Sequence, residues 1–275
     1  EMSASLVGSE MCIRDSYTVA DFESFDSKSR TWKLKEGVVD SSPLSDTPRP
    51  GNAKFKKLTP VDPNSTNPYQ LTEADRTVIG NTTPKFSGGF GLNATYKGFD
   101  MSMFFNFMYD FDVLNANKIM LTTWADNKEN NFLMDIASDK RWRNFDDMGN
   151  EIRYSPEVLA EFNKNATMWN PTSIGRPICM SYAVEDGSFL RLNSATLGYT
   201  LPSVWTKKVG LSKVRFYVSG NNLFTLTGYS GYDPEVNIAT GLTPNIDYNR
   251  YPRSRTYTFG AQLTFCLLYT SPSPR

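Results

Sequence analysis

The sequence predicts an all-β protein in the form of a partial transmembrane antiparallel β-barrel with long extracellular loops. Three observations predict this class. Several stretches alternate strictly between apolar and polar residues, the connections between them alternate between short and long, and aromatic residues make up 13% of the chain. Strict alternation places apolar side chains on one face of a strand. Transmembrane barrels join their strands by brief turns at one end and by extended loops at the other.

The clearest predicted strands cover residues 84–97 and 99–110. Both keep a period of two, and the second places only Phe, Met and Tyr side chains on one of its faces. Lys97 and Gly98 alone separate the two alternating runs. A connection this short predicts a β-hairpin with one strongly apolar face.

Further strands are predicted at 186–202, 213–224 and 256–265, with a weaker upstream pair at 17–25 and 31–37. In the first of these, Leu190 and Leu192 have one parity, whereas Leu197 and Tyr199 have the other. A β-bulge near Asn193 would bring both sets to the same face, because a bulge adds one residue to one strand of a pair.

The connections are long at 37–83, tight at 97–98, very long at 111–182, short at 201–212 and long at 225–253. A soluble β-sandwich is the alternative fold, since its strands alternate too. Its strands are usually only about 5–6 residues long, and an excursion of about 70 residues counts against a compact domain. Within that excursion, 115–124 and 155–165 predict short helices, the second with Ser155 as N-cap and Pro156 in the first turn.

The two ends of the chain are predicted to lie outside the natural protein. Residues 6–16 and 266–275 can be written as opposite strands of one short DNA string, which resembles a transposase-type sequencing adapter. We therefore interpret 1–16 as an adapter scar with a doubtful leader, 17–265 as the natural part and 266–275 as a second scar. Of the three cysteines this leaves Cys179 alone, so no disulfide framework is predicted.

Composition and motifs exclude several classes of protein. The 29 basic residues balance the 29 acidic ones, so no positive field for nucleic acid exists. The chain has no histidine to activate Cys179 as a nucleophile. The acidic pair Asp146 and Asp147 fits a solvated loop better than an acid/base pair. We predict no catalytic residue and no cofactor, and no apolar run is long enough for a transmembrane helix.

Four segments, 75–105, 184–202, 221–236 and 251–265, resemble the C-terminal barrel segments of SusC/RagA-type TonB-linked outer-membrane transporters. They include "DRTVIG", "DGSFLRLNSATLGY", "NNLFTLTGYSGYDPEV" and "YPRSRTYTFGAQLTF", in consistent order. The resemblance implies a TonB-dependent receptor barrel of about 22 strands, of which this chain would supply about the last seven.

The same resemblance implies import of oligosaccharides or peptides across the outer membrane of a Gram-negative bacterium. The implied partners are a SusD/RagB-type surface lipoprotein that closes over the barrel as a lid, TonB as the source of energy, and the outer-membrane assembly machinery. The plug domain, the TonB-contacting segment and the signal peptide are expected upstream.

One departure from the family concerns a metal. Members often carry a calcium-loop-like stretch before the "DRTVIG" motif, with oxygen ligands at alternating positions. Here Asp62, Asn64 and Asp75 are kept, but the glycine turn is missing and Pro63 and Pro68 are present. We therefore predict no metal site.

Phe265, the terminal aromatic of the last strand, resembles the assembly signal of outer-membrane proteins; an ordinary lipid-facing phenylalanine is the alternative. In the loop 228–236, contact with substrate or lid is predicted for Tyr229, Tyr232 and Asp233. The alternative there is a structural loop turned by Gly and Pro.

Trp124, Trp142 and Trp169 lie in the longest connection. Aromatic faces of this kind would pack against sugar rings or the lipoprotein, and the alternative is that they anchor the loop's own small core. Two other functions also remain open at this point. A soluble or surface-attached glycan-binding β protein would not depend on detergent, and an outer-membrane barrel enzyme would need a nucleophile and a base, which the lack of histidine disfavours.

Overall fold

The computed structural model describes residues 13–43, 46–123, 131–137, 139–174, 178–236, 245–248 and 251–265. Strands β1 to β12 span Ile13–Ser16, Phe22–Asp26, Thr31–Leu34, Ala53–Phe55, Phe86–Tyr96, Phe99–Tyr109, Asp112–Asn115, Val184–Asp186, Phe189–Thr200, Leu211–Thr227, Ile246–Asp247 and Thr256–Phe265. Helices α1 to α3 span Ala116–Met120, Pro156–Phe162 and Ser203–Thr206, and short 3₁₀ turns occur at Val19–Asp21, Glu73–Asp75, Met134–Ile136, Pro171–Ser173, Ser181–Ala183 and Lys207–Val209. None of these helices has the length and apolarity needed to cross a lipid bilayer.

The described residues fall into two compact units. Those within Pro84–Phe111, Asp186–Glu235 and Tyr251–Arg275 form the sheet unit. Those within Glu1–Thr83, Asp112–Glu185 and Val236–Arg250 form the loop unit. The sheet unit therefore collects the strands with long alternating patterns, and the loop unit collects most of the long connections.

The sheet unit contains one five-stranded antiparallel sheet with the strand order β12, β10, β9, β6, β5. Strands β5 and β6 form the predicted hairpin, in which Tyr96 pairs with Phe99. The turn residues Lys97 and Gly98 have φ of 46° and 90°, the left-handed conformation that a tight hairpin turn requires. The hairpin prediction is confirmed.

The register also confirms the alternation of connections. Phe86 pairs with Tyr109 and Phe189 pairs with Thr227, so the ends that lead into the long connections lie at one end of the sheet. The tight turn at 97–98 and the short connection that contains α3 lie at the other end.

The bulge predicted near Asn193 is present in β9. Ser194 pairs with Phe104 of β6, but the next pair is Leu192 with Phe105, so Asn193 is an extra residue. The pairing with β10 shifts at the same place. The bulge brings the leucines on either side of it to the same face of the sheet, as predicted.

One face of the sheet is apolar and exposed. Its exposed large side chains are Phe86, Phe90, Leu92, Tyr96, Phe99, Tyr109, Leu197, Phe216, Val218, Phe224, Leu226, Tyr257, Phe259, Leu263 and Phe265. The exposed fraction reaches 77% for Phe259 and 53% for Leu197. Rings also pair across strands, since Phe90 and Phe105 stack with their centroids 4.9 Å apart. Soluble proteins rarely expose a contiguous apolar surface of this extent, so the face is suited to an apolar environment.

The opposite face carries mainly polar and small residues, beside Phe104 and Tyr217, and it includes an ion pair that crosses a strand. Arg215 of β10 donates from Nε to Asp100 Oδ1 of β6 at 2.9 Å, over the intervening β9. The crossing depends on Gly198 in β9, because a Cβ there would lie 2.6 Å from Asp100 Oδ1. Beside it, the hydroxyl groups of Thr196 and Ser219 share a hydrogen bond of 2.7 Å.

The number of strands in the sheet corrects the sequence prediction. Among the described residues the sheet holds five strands instead of about seven. The predicted upstream pair forms, as β2 and β3, but it is a separate two-stranded sheet in the loop unit. These strands have five and four residues, which is shorter than the roughly nine residues a transmembrane strand needs. Phe22 and Trp32 instead pack edge to face in the loop unit, 5.3 Å apart.

Most of the residues predicted to be adapter-derived, 1–12 and 266–275, lie outside the described part of the chain. Ile13–Ser16 are described, and they pair with Ala53–Phe55 in a small antiparallel sheet. Because backbone pairing of this kind depends little on side-chain identity, the adapter origin of these residues stays a prediction.

The loop unit is built around several small apolar cores. They consist of Ala53, Phe55, Leu71, Trp169, Ile174, Ile178 and Met180; of Trp142, Ile152 and Leu159; and of Leu114, Ile119 and Ala183. Both predicted helices form here as α1 and α2, and Pro156 begins α2. Ser155 occupies the N-cap position without a side-chain hydrogen bond.

Burial raises the pKa of Tyr17 to about 12, so its hydroxyl stays protonated and donates to Val39 O at 2.5 Å.

Asp75 joins two segments of the loop unit through its buried carboxylate. Its Oδ1 accepts from the backbone N–H groups of Leu58 and Thr59 at 2.9 and 2.7 Å, and its Oδ2 accepts from Thr72 N at 2.8 Å. Burial by itself would raise the pKa of Asp75, but the hydrogen bonds from Thr59, Thr72 and Leu58 lower it far below its usual range. The carboxylate therefore stays charged and accepts hydrogen bonds from both segments.

We expect Asp75→Asn to lower the free energy of unfolding of the loop unit by about 1–3 kcal/mol, since the amide replaces an acceptor that serves several donors. The folded pKa lies below the unfolded one, so the stabilisation is complete above about pH 4 and is lost as pH falls below it. Hydrogen exchange of the Thr59 amide, compared between the parent and Asp75→Asn at several pH values, measures both the loss of stability and its dependence on pH. Asp62→Asn is the control, because Asp62 is exposed and accepts from Asn64 N. Equal protection of Thr59 in the parent and in Asp75→Asn would contradict the assignment.

Candidate functional site

A buried arginine ties the loop 228–236 to the sheet. Arg191 of β9 is 1% exposed, and its Nη2 donates to Asp233 Oδ1 at 2.5 Å. Its Nη1 donates to Asn222 Oδ1 at 3.0 Å, and its Nε lies 3.7 Å from Glu235 Oε2. Arg253 Nη2 lies 2.9 Å from the other oxygen of Glu235. Two arginines thus face two carboxylates.

This arrangement balances charge where water is largely excluded. Burial of a guanidinium costs several kcal/mol of hydration free energy, and contacts with carboxylates and other hydrogen-bond acceptors offset this cost. Arg191 gains a further contact, since its Cζ lies 5.3 Å from the ring centroid of Phe189. Because the cluster joins β9, the loop after β10 and the segment before β12, the shape of that loop is fixed by the sheet.

The three residues predicted in this loop have different environments. Tyr229 is 6% exposed and its ring covers Gly231, where a Cβ would lie 2.6 Å from the tyrosine Cζ. Asp233 is engaged by Arg191, with its side chain 13% exposed. Tyr232 is 82% exposed. Of the two tyrosines, only Tyr232 therefore exposes its ring to the surroundings.

The tryptophans of the longest connection lie in the cores of the loop unit. Trp142 and Trp169 are each 3% exposed, and Trp169 packs edge to face with Tyr182 at 5.1 Å. In these positions their ring faces contact the protein's own core, which agrees with the alternative stated for them. Trp124 lies outside the described residues.

Phe265 is the last residue of β12. It pairs with Leu211 of β10, is 65% exposed, and shares the apolar face with Leu263, two residues earlier. This placement suits both readings of the residue, an assembly signal and an ordinary lipid-facing side chain.

Acidic side chains in the stretch that leads into "DRTVIG" accept hydrogen bonds from the protein's own backbone. Asp75 accepts from Leu58, Thr59 and Thr72, as described above, and Asp62 Oδ1 accepts from Asn64 N at 2.9 Å. Within the described ranges, no group of three acidic, Cys or His side chains is placed to hold a metal ion. Cys179 is partly buried against the core that contains Leu114.

Sequence reasoning missed Arg191, Glu235 and Arg253. A signal existed for Arg191, which is the one charged residue in the otherwise apolar run "FLRL". A charge in such a run indicates a buried partner. No local signal connects Arg253 with Glu235, because the two residues approach only after β10 and β12 have paired.

Comparisons with known proteins place this geometry in context. No protein-family model matches the chain. The chain is similar to "TonB-dependent receptor P3" of Formosa agariphila, with 32% identity over 261 residues, 92% of this chain and 23% of that protein. It is also similar to "TonB-dependent receptor SusC" of Bacteroides thetaiotaomicron, with 38% identity over 88 residues, 30% of this chain and 8% of that protein. The chain spans 23% or less of the length of these two relatives.

Solved structures show the same fold. The RagAB peptide importer in the open-open state matches with a TM-score of 0.55 and 25% identity, over 78% of this chain and 21% of that chain. A second structure, of the RagAB peptide transporter, matches with a TM-score of 0.56 and 23% identity over the same shares of the two chains. The second match supports the fold alone.

Proposed function

Because the chain belongs to the SusC/RagA type of TonB-dependent receptors, as a segment of one, we propose that it forms part of the barrel of an outer-membrane importer. The observation that carries this proposal is the five-stranded sheet with one exposed apolar face and one polar face. A transmembrane barrel needs both faces, because one contacts lipid and the other lines the interior.

The proposed activity is TonB-dependent import without covalent chemistry. The cargo would be an oligosaccharide or a peptide, and the names of the RagAB neighbours support peptides for those proteins. A SusD/RagB-type lipoprotein would cover the outer opening, and TonB would act through parts of the receptor upstream of this segment. The location would be the outer membrane of a Gram-negative bacterium.

Among the residues predicted to contact cargo or the lipoprotein, Tyr232 keeps that role in this proposal, because its ring is exposed. An indirect role, holding the loops in shape, is proposed for Trp142, Trp169, Tyr229 and Asp233. Contact by Trp124 stays a prediction.

The function is tested by deleting the full-length receptor gene in its own bacterium and measuring uptake of fluorescently labelled oligosaccharides and peptides. We expect uptake of one of these two classes to be lost in the deletion strain, to be lost equally without TonB, and to return when the receptor is restored. A lipoprotein of SusD/RagB type should purify with the tagged receptor in detergent. Unchanged uptake in the deletion strain, or a receptor that purifies without detergent, would contradict the proposal.

The two faces of the sheet are tested with neighbouring residues of β12. We expect Phe259→Lys in the full-length receptor to destabilise the folded barrel by about 2–4 kcal/mol, the cost of a lysine facing lipid near the bilayer midplane. Thr258→Lys is the matched control, since Thr258 lies on the opposite face. Denaturant titration of the receptors in lipid vesicles measures the difference. Equal losses for the two variants would show that the apolar face does not contact lipid.

We also propose Phe265 as the signal read by the outer-membrane assembly machinery, provided that it is the terminal residue of the mature receptor. We expect Phe265→Ala to reduce the amount of assembled receptor in the outer membrane several-fold. Leu263→Ala removes a side chain from the same strand and the same face, so it serves as the control and should have little effect. Equal amounts of the two variants in isolated outer membranes would favour an ordinary lipid contact for Phe265.

A further inference from the structure

The loop unit contains a polar cleft with a volume of about 300 Å³. Its walls come from four separate stretches of the chain, at 30–32, 46–52, 144–159 and 170–173. All four belong to the same compact unit. This volume is at the lower end for a small-molecule site, so the cleft has room for about one or two sugar or amino-acid units.

The charges around the cleft are mainly positive. Arg30, Arg49 and Arg153 line it, together with the single acidic residue Asp46. Arg153 Nε lies 3.0 Å from Glu151 Oε1, whereas no ion pair joins Arg30 or Arg49 to a carboxylate within the described ranges. Two guanidinium groups are therefore left without an acidic partner in that part of the chain.

Contacts with the ring of Tyr154 hold Arg30 and Arg153 in place at the cleft. Phe25 stacks on the ring of Tyr154 with the centroids 6.0 Å apart. Arg30 Cζ lies 4.8 Å from the centroid of the Tyr154 ring, and Arg153 Cζ lies 5.8 Å from it. An arginine over an aromatic face is attracted by the ring, while its planar fork of donors remains suited to a carboxylate.

A neutral donor completes the wall. Ser173 is one of the lining residues, and its buried Oγ has no hydrogen-bond partner among the residues that the structure describes. Buried hydroxyl groups nearly always have a partner, so this hydroxyl has a hydrogen bond to offer at that wall of the cleft. Asn52, Asn144 and Asn170 add further amides to the lining.

We infer that this cleft binds a carboxylate-bearing unit of the cargo, held by Arg30 and Arg49 and by the hydroxyl of Ser173. That the ligand is cargo rests on the proposed import function, whereas the binding of a carboxylate does not. The carboxylate would belong to an acidic sugar or to an acidic amino acid, and the two sources are separated by the probes below.

The test is a ligand-observed NMR titration of the purified full-length receptor in detergent. The probes are two matched pairs that differ in their carboxylate, D-glucuronate against D-glucose and N-acetyl-L-aspartate against N-acetyl-L-asparagine. We expect one of the acids to bind about tenfold more tightly than its neutral counterpart, and to bind more weakly at high salt. The acid that binds identifies the source of the carboxylate.

Variants locate the binding in the cleft. Arg49→Gln and Arg30→Gln should each weaken binding of the acid by about tenfold, and both residues are exposed, so the fold should tolerate the changes. Arg76→Gln is the matched control, because Arg76 pairs with Glu73 elsewhere in the loop unit. Thermal unfolding of each variant checks that the fold is kept.

The inference is overturned if neither acid binds more tightly than its neutral counterpart, or if Arg76→Gln weakens binding as much as Arg49→Gln. If neither acid binds but uptake still depends on the receptor, the binding inference is wrong and the proposed import function is unaffected. Loss of the import function with acid binding intact would leave the cleft as a binding site of another kind.

Discussion

The register of the five-stranded sheet is the constraint on which the rest of the sheet unit depends. In a strand the side chains alternate between faces, so a slip of one residue would move every apolar side chain to the polar face. Two local features fix the register. The turn at Lys97 and Gly98 sets the pairing of β5 with β6, and the bulge at Asn193 resets the parity of β9 against both of its neighbours. The exposed apolar face is a consequence of these two features together.

The polar face carries charged side chains, and two of them meet partners that are distant in sequence. Asp100 and Arg215 meet across β9 because Gly198 has no side chain in the way. Arg191 is almost fully buried and is matched by carboxylates from a loop that is distant in sequence. In both cases a charge on one strand is neutralised by another part of the sheet unit, and the contacts of Arg191 also link the strand to the loop 228–236.

The long connections have a structure of their own. They contain enough apolar residues to form separate cores, and this is why Trp142 and Trp169 are buried although they lie far from the sheet strands in sequence. Asp75 connects two other segments of the unit, because its carboxylate accepts hydrogen bonds from backbone N–H groups of both. The cleft lined by Arg30, Arg49 and Arg153 exists because these cores hold four stretches of chain side by side. Its positive charge is suited to acidic ligands.

Local patterns in the amino-acid sequence predicted the strands of the sheet, the hairpin, the bulge at Asn193 and the two short helices, because each depends on a local period or on a local turn residue. The resemblance of four segments to a transporter family indicated the class of protein, which the comparisons support. The packing of distant segments places the pair β2 and β3 outside the main sheet, buries Trp142 and Trp169 in cores, and brings Arg191 to Asp233. These features differ from the predicted ones in the sequence distance over which they act. Periodicity reports which face of a strand is apolar, whereas ion pairs and small cores join residues that approach each other only after distant segments have packed.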